Sequence, residues 1–158
     1  MKVLFSKIEF FRNVINNNMK ESRHGCLKLL LYSNQCIELL LDYCYFNVLP
    51  AIKKVNKNDD DDEDTIKFVD LVLELHSLSH YLMYNELHNN ISVLLLSLLK
   101  PQTILQIFKQ SIELHHEYLI FECKRYIVRN YHSIIQLSHD KNDNDGKELL
   151  VYVLNGNS

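Results

Sequence analysis

Residues 69–82 read Val69-Asp70-Leu71-Val72-Leu73-Glu74-Leu75-His76-Ser77-Leu78-Ser79-His80-Tyr81-Leu82. Val69, Val72, Leu75, Leu78, Ser79 and Leu82 recur at intervals of three and four, the period of one helix face. The spacing predicts an amphipathic helix over about 66–83, ~27 Å long at the usual rise per residue. Thr65 is its expected cap. Leu78 and Leu82, one turn apart on the stripe, are the expected core anchors. His76 and His80 each fall one position off the stripe. They read as solvated or half-buried imidazoles, and changing either to alanine is expected to cost under about 1 kcal/mol.

Downstream, Leu87, Ile91, Leu94, Leu95 and Leu98 predict a second helix over about 86–99. Pro101 suits the first turn of a third, which carries Ile104, Leu105, Ile107, Phe108 and Ile112. His115-His116 read as a turn. Leu119, Cys123, Tyr126 and Ile127 predict a helix over about 116–130. Residues 138–147 are polar, and Leu149 to Leu154 fits helix or strand.

Upstream, Asn56 to Asp64 is dominated by carboxylates that repel one another and have no apolar anchor. It lacks the glycine and alternating spacing of a calcium loop, so a disordered, dispensable insert near 56–64 is expected. Ile37, Leu40, Leu41 and Cys44 fit a helix from Asn34 to Tyr45, capped by Ser33 or Asn34. Cys26 to Leu31 fits a strand or a lead-in to that helix. Ile8, Phe11, Val14 and Ile15 fit a short helix, ended by Asn16-Asn17-Asn18.

The chain has 158 residues and is 47% hydrophobic, enough for a buried core. Three glycines and two prolines favour long helices and leave no phosphate-cradling loop. A net charge of −3 shows no basic excess for nucleic acid or anionic lipid. The longest apolar run, Val93 to Leu99 with Ser97 within it, is far short of the ~18 residues of a membrane span. Met1 to Phe5 meets Ser6-Lys7 too soon for a secretion signal. The expectation is a soluble protein of the cytoplasm or nucleus. Cys26, Cys36, Cys44 and Cys123 form no CxxC pair and read as buried thiols.

Little here suggests chemistry. No glutamate follows His76 to make HExxH, and the adjacent His115 and His116 point about 100° apart on a helix. Lys124, Arg125 and Arg129 read as a solvated face, with Glu122 a partner for an arginine. No nucleophile motif surrounds any serine or cysteine. The expectation is no enzyme, no catalytic residue, no metal site and no cofactor.

Several landmarks resemble one family. Ser6, Phe10-Phe11-Arg12, Met19-Lys20-Glu21-Ser22 and Leu39-Leu40-Leu41-Asp42-Tyr43-Cys44-Tyr45 stand in the order found in the middle of a BTB/POZ domain. Leu75, Leu78-Ser79, Tyr81-Leu82, Leu87 and Ile91 are similar to its last two helices. Pro101, Ile104-Leu105, Ile107, Leu119, Cys123, Tyr126-Ile127 and Asn130 resemble the helix pair of a BACK-type extension. The resemblance spans about residues 2–131. It departs from the family in three ways. Met1 falls where the second strand gives way to the first helix, so the opening hairpin is expected to be missing. Tyr32-Ser33-Asn34-Gln35 replaces a segment that normally holds an acidic residue and a proline. No kelch-like module follows.

The resemblance implies a mostly α fold, α+β with a much reduced sheet. It implies a shortened BTB/POZ-like helical cluster over 1–99, a BACK-like pair over 100–137, and a polar linker with a short apolar end over 138–158. It implies a protein–protein interaction module, dimerising or adaptor type, with a homodimer partner or a cullin ubiquitin-ligase scaffold as candidates. The alternatives are a degenerate or incomplete fragment with a structural role and, ranked last, a metal- or nucleic-acid-binding helical domain. The expected contact residues are Ile8, Phe10, Phe11, Val14, Ile15, Tyr32 and Gln35. The five on the first helix cannot all face inward, so some are expected on the surface.

Overall fold

In the computed structural model, the Val69–Leu82 stripe is buried along its whole length: Val69, Val72, Leu75, Leu78, Ser79 and Leu82 are all excluded from solvent. The structure describes residues 6–17, 29, 31–49, 62–140, 151 and 153, apart from the side chains of Ile15, Asp62 and residues 138–140. Among the described residues it is mostly helical, with seven helices and no strand. In chain order these are α1 (Glu9–Asn16), α2 (Asn34–Phe46), α3 (Asp62–Tyr81), α4 (Asn85–Ser97), α5 (Ile104–Glu113), α6 (Glu117–Arg129) and α7 (Tyr131–Asp140). Most of the candidate strand at 26–31 and most of the C-terminal apolar piece lie outside the described residues; Leu29 and Leu31 are described, and neither is in a strand.

Three boundaries and one buried face differ from expectation. α3 starts at Asp62, so Thr65 is inside the helix and Glu63 and Asp64 sit in its first turn. The positive end of the helix dipole favours carboxylates there, and Glu63 pairs with Lys67 at 2.8 Å. That pair is exposed; Lys67 holds the Glu63 carboxyl below its usual range, first by its hydrogen bond and then by its charge. Pro101 lies before α5, not in its first turn. Thr103 is the residue that organises this turn: its Oγ1 donates to the Leu98 carbonyl at 2.7 Å and accepts from the Lys100 amide at 3.1 Å. On α2 the buried residues are Cys36, Leu40, Tyr43 and Cys44, while Ile37 and Leu41 are half-buried. Finally, α7 extends across residues expected to begin a polar linker, with Ile134 buried.

α3 and α5 end in the same way, each in a left-handed residue that is not glycine. Met83 has φ 53° and His115 φ 52°. The Tyr84 amide bonds to Ser79 O and the Met83 amide to His80 O; the His116 amide bonds to Ser111 O and the His115 amide to Ile112 O. These crossed bonds satisfy the last carbonyls of a helix in a Schellman turn. The side chain at each left-handed position costs conformational energy that the closing bonds offset. The turn at His115-His116 was expected; His116 also caps α6, its Nδ1 accepting from the Leu119 amide at 3.3 Å.

The chain divides into two compact units. The first comprises Met1–Asp59 and Asp70–Ser92. Its core includes Ile8, Val14, Leu40, Tyr43, Leu75, Leu78, Leu82, Leu87 and Ile91. Tyr43 is a buried polar residue within it. Its hydroxyl accepts from Asn90 Nδ2 at 2.6 Å and donates to Glu86 at 3.3 Å, and its ring meets Tyr84 edge-on. Burial holds the Tyr43 and Tyr84 phenols above their ordinary range. The second unit comprises Asp60–Val69 and Val93–Ser158. There α5 packs on α6 and α6 on α7, around Ile104, Ile107, Phe108, Leu119, Cys123 and Ile127.

The described cysteines are buried, free thiols, as expected; Cys26 lies outside the described residues. Burial raises Cys36 and Cys123 from 9.0 to about 12 and Cys44 to about 11. Nearby carboxylates add to the rise, Glu74 at Cys36 and Glu122 at Cys123, while Lys7 opposes it at Cys44. The folded chain therefore keeps protons that the unfolded chain releases. Their contribution to stability is complete below pH 9.0 and is lost as pH rises from there through about 11 for Cys44 and about 12 for Cys36 and Cys123. Denaturation midpoints should fall across that window. At pH 8, native protein should leave these three thiols unalkylated, with sites mapped by mass spectrometry. Modification at the rate of the urea-unfolded chain would contradict their burial.

Candidate protein-interaction surface

The first unit places three of the expected contact residues together. α1 and the residue before it turn Ile8 and Val14 inward, to 0% and 7% exposure. These two are core residues and not surface contacts, because the short helix spends its buried positions on them. Phe10 and Phe11 are left at the helix edge, half-buried, with rings 5.9 Å apart in a T-shaped contact. The side chain of Ile15 lies outside the described residues.

Phe10 meets Tyr81 of α3 at 5.5 Å, and Tyr81 meets Tyr32 at 6.4 Å. Phe11, Phe10, Tyr81 and Tyr32 thus form one run of rings. Tyr81 is 50% exposed. Leu31, next to Tyr32, is exposed, as is Met83 beyond Tyr81. Tyr81 belongs to the stretch that resembles the family's last two helices but is not among the expected contact residues. Its place one position before Leu82, just off the buried stripe, allows exposure without requiring it, as buried His76 beside Leu75 shows.

Glu74 anchors the segment that carries Tyr32 and Gln35. Its carboxylate accepts from the Ser33 amide and from Ser33 Oγ, the latter at 2.7 Å. Ser33 in turn caps α2, its Oγ accepting from the Cys36 amide at 3.1 Å. The first turn of α2 is thereby tied to α3 by a charge-assisted contact. Gln35 is exposed in that turn.

His76 departs from the expected solvated reading: it is fully buried, and only His80 is exposed. α3 is wide in burial here, with Leu73 and His76 enclosed beside the main stripe. The His76 ring stacks on His88 at 4.1 Å with planes 8° apart, and His80 lies 5.5 Å from His88. His76 Nε2 is 3.0 Å from Ser92 Oγ, and His88 Nδ1 is 3.3 Å from Ser79 Oγ. Each serine spends its one proton on a carbonyl, Ser79 on His76 O and Ser92 on His88 O. The hydroxyls must then accept from the imidazoles, which assigns the proton to Nε2 of His76 and to Nδ1 of His88.

His76 and His88 are the residues of this unit best placed to hold a metal, with ring nitrogens within 4.8 Å of one another. Parallel rings, however, aim their in-plane lone pairs side by side and not at one point. Chelation of one ion by this pair requires a ring to turn. As it stands, the cluster is a hydrogen-bonded polar core linking α3 to α4.

No helix of the described residues is long and apolar enough to cross a membrane. No family model matches the chain, and no curated protein matches it.

Proposed function

We propose that this chain is a protein–protein interaction module whose first unit holds a partner protein on the aromatic run Phe11, Phe10, Tyr81 and Tyr32. The observation that carries the reading is this run itself: four rings in sequence, two on α1, one at the end of α3 and one just before α2, with Tyr81 half exposed. Aromatic side chains give large contact area at small entropic cost, and they are enriched in the centres of protein interfaces. Ile8 and Val14, close in the chain to the phenylalanines, and Leu78 and Leu82, close to Tyr81, are buried, and anchoring the ring-bearing segments in the core lowers the ordering cost of binding.

The BTB/POZ-like resemblance supports the adaptor form of this reading, with a cullin scaffold as one candidate partner. A purely structural role is the alternative. Affinity capture with quantitative mass spectrometry separates them. Tyr81→Asp keeps the buried stripe intact and places a carboxylate among the rings. Wild-type chain should retain at least one protein that Tyr81→Asp loses by about tenfold or more, as expected for a contact worth about 1.4 kcal/mol or more. A cullin among the lost proteins supports the ligase adaptor. Identical protein sets, with the variant's circular dichroism and melting unchanged, would remove this face as the binding site.

A further inference from the structure

We infer that the outer face of α6 is a self-association surface, on which a second copy of this chain docks with the two α6 helices antiparallel. Tyr118, Phe121 and Val128 are 58%, 60% and 62% exposed. With Arg125 they recur at spacings of three, four and three, which is one face of a helix and the seam spacing of a paired helix. The opposite face already has its packing, since Leu119, Cys123 and Ile127 are fully buried. A helix with one buried stripe normally turns polar residues to solvent. Here three large apolar side chains lie in line on the exposed face.

Charge selects the occupant and its direction. Glu117 and Glu122 lie in the first half of α6, and Lys124, Arg125 and Arg129 in the second. A second copy laid antiparallel sets each acidic half along a basic half; a parallel copy sets like against like. Opposed helix dipoles favour the same direction. With the twofold axis level with Cys123, Tyr118 lies opposite Val128 of the copy and Phe121 opposite Arg125. A guanidinium over a ring is an attractive contact. Arg125 also pairs with Glu122 of its own helix at 3.0 Å, a contact that leaves the guanidinium plane able to meet a ring. The arrangement is the self-complementary kind that closes as a dimer.

One helix face of ~20 Å gives less area than the ~800 Å² per partner of a stable complex. The dimer is therefore weak: largely monomer at about 1 μM and populated at about 100 μM. Sedimentation velocity across that range should show a concentration-dependent shift for wild type and none for Phe121→Asp or for Val128→Asp. Tyr81→Asp should leave the shift unchanged, which separates this surface from the partner-binding face of the first unit. Direction is read by oxidative cross-linking. A mixture of Tyr118→Cys and Val128→Cys should form mixed disulfides, whereas each alone places its cysteines about 15 Å apart along the axis. A wild-type monomer at every concentration would overturn the inference. So would self-association that survives both aspartate variants, that is lost in Tyr81→Asp, or that cross-links each single variant as readily as the mixture. Circular dichroism checks that each variant is folded, and two independent positions keep the test open if one is not.

Discussion

Leu78→Ala is expected to lower unfolding free energy by about 2–5 kcal/mol, read as a shift in urea midpoint at unchanged slope. Leu78 is fully enclosed, and Leu75 and Leu82 one turn to either side are equally buried. Truncation removes the branched Cγ and its two methyl groups from a filled site and leaves a cavity that rigid helical neighbours close only in part. The lower end of the range applies if the core relaxes. A cost under about 1 kcal/mol would mean that the α3 stripe does not face a packed core.

His76→Ala is expected to cost about 2–4 kcal/mol, and His80→Ala under about 0.5 kcal/mol. The two differ by one helical turn and by everything around them. His76 is buried, stacked on His88 and bonded to Ser92 Oγ at 3.0 Å. Removing its ring opens a cavity, strips the stack and leaves the Ser92 hydroxyl without its imidazole donor. His80 is exposed. Equal effects of the two substitutions, measured in the same denaturant series, would contradict the burial of His76.

The contrast shows where sequence pattern stops being informative. The stripe of α3 was legible because its apolar residues keep helical spacing, and Ser33 was legible as a cap from residue type. His76 was not, since a position beside the stripe is enclosed or open according to how many neighbours surround the helix. Tyr43 was missed for a similar reason: Asn90 and Glu86, which make its burial tolerable, are more than forty residues away in sequence. The Schellman turns at Met83 and His115 were hidden because the left-handed position holds no glycine. The start of α3 was misplaced because like charges were weighed against one another and not against the helix dipole that Glu63 and Asp64 meet. At the candidate surface, Phe10, Phe11 and Tyr32 could be named in advance through a resemblance. Their contact with Tyr81 is tertiary, and no local spacing encodes it.

Photo-cross-linking from the centre of the aromatic run tests the proposed function most directly. A benzophenone amino acid at position 81, in place of half-exposed Tyr81, should yield one discrete adduct with another protein on irradiation in cells. The same group in place of Asp70, exposed on the same helix, should not yield that adduct. An adduct that appears from 81, is absent from 70 and disappears with Phe10→Asp places a partner on this face. No adduct from 81, or the same pattern from both positions, would contradict it.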